Sequence, residues 1–198
     1  MKRIEMILII LLVVAACGCI VPEEPAVPTP TPTGTPAVPQ SLADMIPRDN
    51  LPGAFKLIAV IDKDTPGTLN ITEEAMSLIS GNLNTGEIQA VRGIYSFEDG
   101  NIYVTIIKCT DSVNAANAVE NYKNQPTFEM PPSKTVNRFG NVHFNGHEAT
   151  EVRMRPLGTD DIRYGYVWSN GDLVFIVEPG PKADDKQANM KLAMMLEQ

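Results

Sequence analysis

Residues 164–177 read YGYVWSNGDLVFIV, and this stretch decides the fold. Runs rich in aromatic and β-branched residues flank a polar centre in which Asn170-Gly171 accepts the positive φ angles of a tight turn. Two strands joined by such a turn pair in an antiparallel hairpin. The stretch therefore predicts a β-hairpin with strands at 164–168 and 173–177.

Two further turn signals of the same kind organise the chain before this hairpin. Asp99-Gly100 separates the β-rich runs 94–97 and 102–107, and Asn145-Gly146 separates 136–144 from 147–154. The run 55–61 adds one more strand, so the sequence predicts about seven strands, mostly antiparallel.

Three segments carry helical signals, and each follows residues that cap helix N-termini. The capping candidates are Asn70 or Thr72 for the first helix, Asp111 or Ser112 for the second, and Asp184 for the third. On the second helix we expect the stripe of Val113, Ala116, Val119 and Tyr122 to face the sheet.

These elements predict an α+β fold: a single antiparallel sheet of about seven strands built from hairpins, with two to three helices packed on it. The order and size of the elements resemble PsbP-like domains of exported proteins.

The first residues have the order of an exported, anchored protein. Lys2 and Arg3 precede an apolar run from Met6 to Ala16, as in a secretory signal. The stretch Val14-Ala15-Ala16-Cys17 resembles the lipobox of prokaryotic lipoproteins, in which small residues precede the lipidated cysteine. The resemblance implies a signal peptide over 1–16 and Cys17 as the lipid-anchor residue. Three alternatives stay open: Cys19 as the acceptor, cleavage without lipidation, and an uncleaved apolar anchor.

A Pro/Thr-rich tract follows between Pro22 and Pro39. It offers few apolar residues for a core, so it is expected to stay extended as a polyproline II stalk. Its composition is similar to that of the linkers of archaeal cell-surface lipoproteins. We expect residues 17–50 to hold the anchor site and a disordered linker, and residues 51–198 to form one globular domain.

The charge balance excludes one class of partner. The chain has 24 acidic and 16 basic residues, for a net charge of −8, and no basic cluster in the domain. Since nucleic-acid binding relies on basic patches, no nucleic-acid partner is expected. We expect the protein on the extracytoplasmic face of the cell membrane, held by its N-terminal lipid or apolar segment.

Tyr164, Tyr166 and Trp168 are the candidate ligand-binding residues. They alternate along one strand and therefore share one face of the sheet. Core packing is one interpretation of these rings. The other is an exposed stripe on which a sugar or a partner stacks.

His143 and Cys109 are the residues that a catalytic function would use. With Asn145-Gly146 as the turn, His143 faces Glu148 across the hairpin, and such a pair is half of a catalytic dyad. An extracytoplasmic hydrolase that uses His143 with a carboxylate is therefore one alternative function. Cys109, at a strand end, is expected to be a buried small hydrophobe.

Residues 62–73 are similar to a twelve-residue EF-hand calcium loop. Asp62, Asp64 and Glu73 occupy its first, third and twelfth positions, and Gly67 its sixth. Pro66 departs from the pattern because it removes the ligand at the fifth position. The loop is either an acidic turn before a helix or the site of a calcium-stabilised adhesion or scaffold module.

The sequence contains no Gly-rich phosphate loop, no Cys/His metal spacing and no Gly-x-Ser-x-Gly motif. The expected function is therefore a membrane-anchored, non-enzymatic binding or interaction module without cofactor, metal or catalytic residues. An envelope protein or a small ligand is its expected partner.

Overall fold

The structure, a computed structural model, describes residues 41–67, 70–98, 100–179 and 186–196. Cys17, Cys19, the apolar segment before them, the Pro/Thr-rich tract and Asp184 lie outside these ranges. The strands are β1 (Lys56–Ile61), β2 (Gln89–Phe97), β3 (Gly100–Lys108), β4 (Phe139–Phe144), β5 (His147–Met154), β6 (Arg163–Asn170) and β7 (Leu173–Pro179). The helices are α1 (Ile71–Leu78), α2 (Ser112–Lys123) and α3 (Lys186–Met194), with 3-10 turns at Leu42–Met45 and Pro126–Phe128. Within the described ranges, none of these helices has the length and apolar character needed to cross a bilayer.

All seven strands belong to one sheet in the order β1-β2-β3-β7-β6-β5-β4. Every neighbouring pair is antiparallel. Three of these pairs are the predicted hairpins, and the β3–β7 pair joins the two halves of the sheet. The predicted α+β fold with one antiparallel sheet is confirmed.

One of the three predicted turns lies at the predicted residues, and two are shifted by one residue. In the β2–β3 hairpin, Gly100 is already paired with Phe97, and Glu98 has a positive φ of 50°. In the β4–β5 hairpin, Asn145 (φ 50) and Gly146 (φ 80) are the two central turn residues. In the β6–β7 hairpin, Asn170 is still paired with Leu173, so the turn is Gly171-Asp172. Packing on both sides of the sheet sets this register, because a one-residue slip would exchange the two faces of a strand.

The sheet has a buried core on each side. We call the front face the side on which Tyr95, Val104, Trp168 and Phe175 lie. The back face is the side on which Ile107, Val167, Val174 and Ile176 lie. Since both faces are packed, the sheet is the middle layer of three.

Helices α1 and α2 cover the back face. The side-chain oxygen of Asn70 accepts hydrogen bonds from the backbone N–H groups of Thr72 and Glu73, and Asp111 accepts one from Asn114. Of the alternative caps, Asn70 and Asp111 are therefore the ones used.

The buried stripe of α2 differs from the predicted one. Val113 is 67% exposed, whereas Ala115, Ala118 and Tyr122 are buried against the sheet. The rotation of the helix is fixed by Asn121, whose side-chain amide bonds both the N–H (3.1 Å) and the C=O (2.8 Å) of Leu83. Small alanines also let the helix approach the sheet closely.

Helix α3 and residues 41–50, which we call the N-terminal segment, pack on the front face. Ile46 is fully buried in the front core, and the Tyr95 hydroxyl donates to the carbonyl oxygen of Pro47 at 2.8 Å. The predicted domain boundary at residue 51 is therefore wrong. Part of the predicted linker belongs to the core, because Ile46 packs against residues of the sheet that are distant in sequence. Composition does not reveal such a contact.

Candidate functional site

The predicted ligand-binding stripe on β6 is not exposed. Tyr166 and Trp168 are each 1% exposed and lie in the front core beneath α3. The Tyr166 hydroxyl donates to the carbonyl oxygen of Lys186 at 3.3 Å. Tyr164 is half-buried, with the Lys186 ammonium 4.8 Å from the centre of its ring. The interpretation as an exposed stripe is wrong because α3 covers these rings, so stacking of a ligand on Tyr166 and Trp168 has no free surface.

Cys109 is a buried free thiol, as predicted. Its backbone N–H donates to the carbonyl oxygen of Asp172 at 2.8 Å. Burial raises the pKa of the thiol to about 11, and the nearby carboxylates of Asp172 and Asp111 act in the same direction. The thiol is therefore protonated at neutral pH and is a poor nucleophile.

His143 lies opposite Glu148 in the β4–β5 hairpin, which is the predicted register. Both residues are exposed, and β4 is an edge strand of the sheet. Cys109 follows the end of β3, four strands away in sheet order, or about 19 Å at the usual strand spacing. The thiol is thus out of reach of His143.

The calcium-like loop is organised by hydrogen bonds of its own. One carboxylate oxygen of Asp62 accepts from the N–H of Asp64 (3.0 Å) and from the Thr65 hydroxyl (2.7 Å). These bonds, with that from Thr65 first, lower the pKa of Asp62. Asn70 caps α1 and donates to Glu73 at 3.0 Å. Across the described residues, no three His, Cys, Asp or Glu side chains form a group suited to a metal ion. The hydrogen bonds within residues 62–65 and 70–73 are those expected of an acidic turn before a capped helix.

One end of the sheet carries a cleft that we call the hairpin-end cleft. It has a volume of about 420 Å³ and is bounded by the N-terminal segment, the turn after β1, the start of β2, the end of β3 and the β6–β7 turn. Its lining residues are Ser41, Leu42, Ala43, Met45, Asp62, Lys63, Asp64, Thr72, Gln89, Ala90, Val91, Lys108, Asp172 and Leu173. The cleft thus brings Asp62 and Asp64 of the calcium-like loop together with Lys108 at the end of β3 and Asp172 in the β6–β7 turn.

Two carboxylate–ammonium pairs line the cleft. Lys63 Nζ lies 3.2 Å from a carboxylate oxygen of Asp64, and Lys108 Nζ lies 3.7 Å from one of Asp172. The four side chains are between 41% and 77% exposed, so each pair stabilises the fold by about 1 kcal/mol at most. Each of these side chains can therefore leave its present partner and pair with an opposite charge on a bound molecule. Since apolar side chains share the lining, the cleft can hold a small molecule that carries both an ammonium and a carboxylate group.

The N-terminal segment separates this cleft from a second cavity of about 490 Å³, and Met45 and Leu173 line both. Asp44 holds the start of the segment by accepting from the Ser41 hydroxyl at 2.7 Å. Farther along, Ile46 lies against Gly93, where an added Cβ would be 2.8 Å from Ile46 Cγ2. Glycine is required there because the segment approaches the backbone of β2 so closely. The wall between the two cavities is thus a short, anchored stretch at the start of the described chain.

The sequence-based interpretation missed two carboxylates that hold helices to the sheet, the buried Glu151 and the half-buried Glu178. Glu151 on β5 is fully buried, with its two oxygens 2.8 Å from Arg153 Nε and 2.7 Å from Lys186 Nζ. Glu178 on β7 accepts a hydrogen bond from the Tyr122 hydroxyl at 3.2 Å. Each of these acids occupies a strand position whose side chain points toward the core in the alternating pattern. An acid at such a position is the signal that could have predicted them. Both groups hold a helix to the sheet and face neither cavity.

Comparison of the chain with protein-family models, with curated proteins and with solved structures finds no match.

Proposed function

We propose that this chain is a membrane-anchored extracytoplasmic binding module, without catalytic activity of its own, that holds a small ligand in the hairpin-end cleft. The observation that carries the proposal is the cleft itself. Its volume of about 420 Å³ is within the range of small-molecule sites, which combine apolar lining with a few placed polar groups.

The charges in the cleft favour a zwitterionic ligand. Lys108 can pair with a ligand carboxylate while Asp172 pairs with a ligand ammonium, and Lys63 with Asp64 offers a second such pair. Exchange of one ion pair for another costs little when both are solvated. A dipeptide is a molecule of suitable size and charge.

The state of the reactive side chains supports binding rather than catalysis. Cys109 is buried with a raised pKa, and the buried hydroxyls of Tyr95 and Tyr122 are engaged as donors to the protein itself. His143 lies on an exposed strand edge at the far side of the sheet from Cys109.

The sequence carries the anchoring part of the proposal. Cys17 after Val14-Ala15-Ala16 is the lipid acceptor, and the Pro/Thr-rich tract separates the folded domain from the membrane. An acidic domain held in this way is suited to contact small molecules or proteins of the envelope.

Titration of the full chain with zwitterionic dipeptides tests the binding site. We expect saturable changes in the backbone amide NMR signals of residues 62–64, 108 and 172. Exchanging Lys108 for Met should weaken binding, whereas Lys134→Met, which removes an exposed lysine outside the cleft lining, should not. Unchanged spectra at millimolar dipeptide, or changes confined to other residues, would contradict the assignment.

Mass spectrometry of the protein extracted from membranes tests the anchor. We expect a mature N-terminus at Cys17 that carries a lipid mass, and release of Cys17→Ser protein from the membrane fraction. Cys19→Ser is the matched control and should stay membrane-bound. A chain that still begins at Met1 would instead indicate an uncleaved apolar anchor.

A further inference from the structure

The two edges of the sheet differ in how they are protected. Unpaired edge strands are usually blunted by lysine, proline or a bulge, because they otherwise pair with another chain. Strand β1 has Lys56 at its start and a register shift between Leu57 and Ala59 that leaves Ile58 bulged. Strand β4, FGNVHF, has none of these features, and its six residues pair with β5 without interruption.

Two arginines lie beside β4, and both bond groups of their own chain. Arg153 donates to Glu151 at 2.8 Å and to the carbonyl oxygen of Asn137 at 3.3 Å. Its guanidinium lies over Gly140 on the front face. The guanidinium of Arg138 is turned inward, where it donates to the carbonyl oxygen of Arg153 at 2.6 Å and to that of Met130. Both guanidinium groups are thus held by acceptors of their own chain, and neither bonds the outward backbone groups of β4 among the described residues.

The backbone groups that point outward can be identified from the hairpin. Because the pairs closing a two-residue turn exchange hydrogen bonds and then alternate, Phe144, Val142 and Gly140 bond inward to β5. The bond from the N–H of Arg153 to the carbonyl oxygen of Arg138 (2.8 Å) continues the same alternation. Phe139, Asn141 and His143 consequently direct their N–H and C=O groups away from the sheet, and within the described residues these groups have no hydrogen-bond partner.

We propose that β4 pairs with β4 of a second copy of this chain, antiparallel and with the two-fold axis at Asn141. This register places Asn141 opposite its own equivalent and Phe139 opposite His143 of the other copy. By symmetry, His143 of the first copy also lies opposite Phe139 of the other, which makes three pairs. Each pair exchanges two backbone hydrogen bonds, about six in all. The two sheets then continue into one.

The side chains of β4 complement one another in this register. On the back face, the Asn141 amides can bond each other and the Phe139 ring lies beside the imidazole of His143. On the front face, Val142 lies opposite Gly140 and packs beside the guanidinium of Arg153, which covers that glycine. Strand β4 itself places no like charges opposite each other, because His143 is its only titratable residue and faces Phe139. The Arg153 guanidinium over Gly140 is paired with Glu151 of its own copy.

Cysteine cross-linking of the full chain tests the register directly. In a Cys17→Ser, Cys19→Ser background, Asn141→Cys should form a disulfide-linked dimer under mild oxidation, since hydrogen-bonded antiparallel pairs have Cα atoms about 5.5 Å apart, within disulfide range. Thr150→Cys on the neighbouring strand and Ile58→Cys on the other edge are the controls, and both should remain monomeric. Equal cross-linking of Ile58→Cys, or none with Asn141→Cys, would overturn the proposal.

A second variant measures the non-covalent dimer. Asn141→Lys places two ammonium groups opposite each other at the axis and should raise the dimer dissociation constant by about tenfold or more. Thr150→Lys adds the same charge to the same face one strand inward and should leave that constant unchanged. Sedimentation velocity in density-matched detergent measures the dimer dissociation constant of both variants. A chain that is monomeric throughout, or a dimer that Asn141→Lys leaves intact, would contradict pairing through β4.

Discussion

The front and back faces of the sheet are stabilised by different means. On the front face, large rings fill the core: Trp168 stacks on Phe175 at 5.0 Å with an interplanar angle of 12°, and Phe144 meets Trp168 edge-on at 5.1 Å. On the back face, Ala115 and Ala118 bring α2 close to the sheet, and buried polar side chains hold the helix in place.

This difference separates two sources of stability. The front face buries a large aromatic area, which is non-directional. Bonds from Tyr95 to Pro47 and from Lys186 to Glu151 hold the N-terminal segment and α3 over it. The back face depends on directional bonds from Asn121 and Tyr122, which fix the rotation of α2. Substitutions on the two faces should therefore differ in size and in their dependence on pH.

Removal of the central ring of the front face should have the largest effect. We expect Trp168→Ala to lower the free energy of unfolding by about 3–5 kcal/mol, as for other buried aromatic residues. Because Trp168 is the only tryptophan, urea unfolding should be followed by far-UV circular dichroism. Trp168→Phe keeps a ring over Phe175 and should lower the free energy of unfolding by less than Trp168→Ala does.

Leu157→Ala is the surface control for this substitution, since Leu157 is fully exposed. It should change the free energy of unfolding by less than about 0.5 kcal/mol. A loss from Trp168→Ala as small as that of the control would mean that the front core is not the main source of stability.

On the back face, Asn121→Ala should have the next largest effect. It leaves the N–H and C=O of Leu83 without their partner in a partly buried loop, at a cost of about 2–4 kcal/mol. Asn117→Ala is the matched control on the same helix, because Asn117 makes one exposed bond to the carbonyl of Asn84. Its cost should be below about 1 kcal/mol. Equal losses from the two variants, measured by urea unfolding, would show that burial of the amide is unimportant.

Local chemistry explains which parts of the fold the sequence predicts. Asn145-Gly146 specifies its turn without help from the rest of the chain, and strand alternation then supplies β4 and β5. Asn70 and Asp111 cap their helices through neighbours two or three residues away. These contacts are short-range, so they are visible in the sequence.

The parts that were missed depend on long-range contacts. Ile46 lies next to Pro47 in a stretch that resembles a linker. It is buried because Gly93 on β2 has no side chain at the point of contact. The burial of Trp168 depends on where α3 packs, and the partners of Glu151 come from β5 itself and from α3. The hairpin-end cleft likewise combines Asp64 with Asp172 across most of the domain. No local pattern encodes these distances.

The pH dependence of the back face provides the smallest but most specific test. Burial raises the pKa of Glu178 above its ordinary value of 4.5, although the hydrogen bond from Tyr122 and the charge of Arg92 oppose the shift. The folded state therefore binds the carboxyl proton more tightly than the unfolded state does. The resulting stabilisation is fully present below about pH 4.5 and is lost as the pH rises through the pKa of the folded state.

Glu178→Gln removes this titration while it keeps an oxygen that can accept from Tyr122. The variant and the parent should be equally stable near about pH 4, and the variant should become the more stable of the two as the pH rises to about 8. The effect is smaller than that of Asn121→Ala because no hydrogen bond is lost. Urea unfolding at several pH values measures the difference, and Glu148→Gln on the exposed part of the sheet corrects for the lost surface charge. If the difference were constant across this range, or favoured the parent at high pH, Tyr122 and Arg92 would outweigh burial, and the back face would hold Glu178 as a favourable ion.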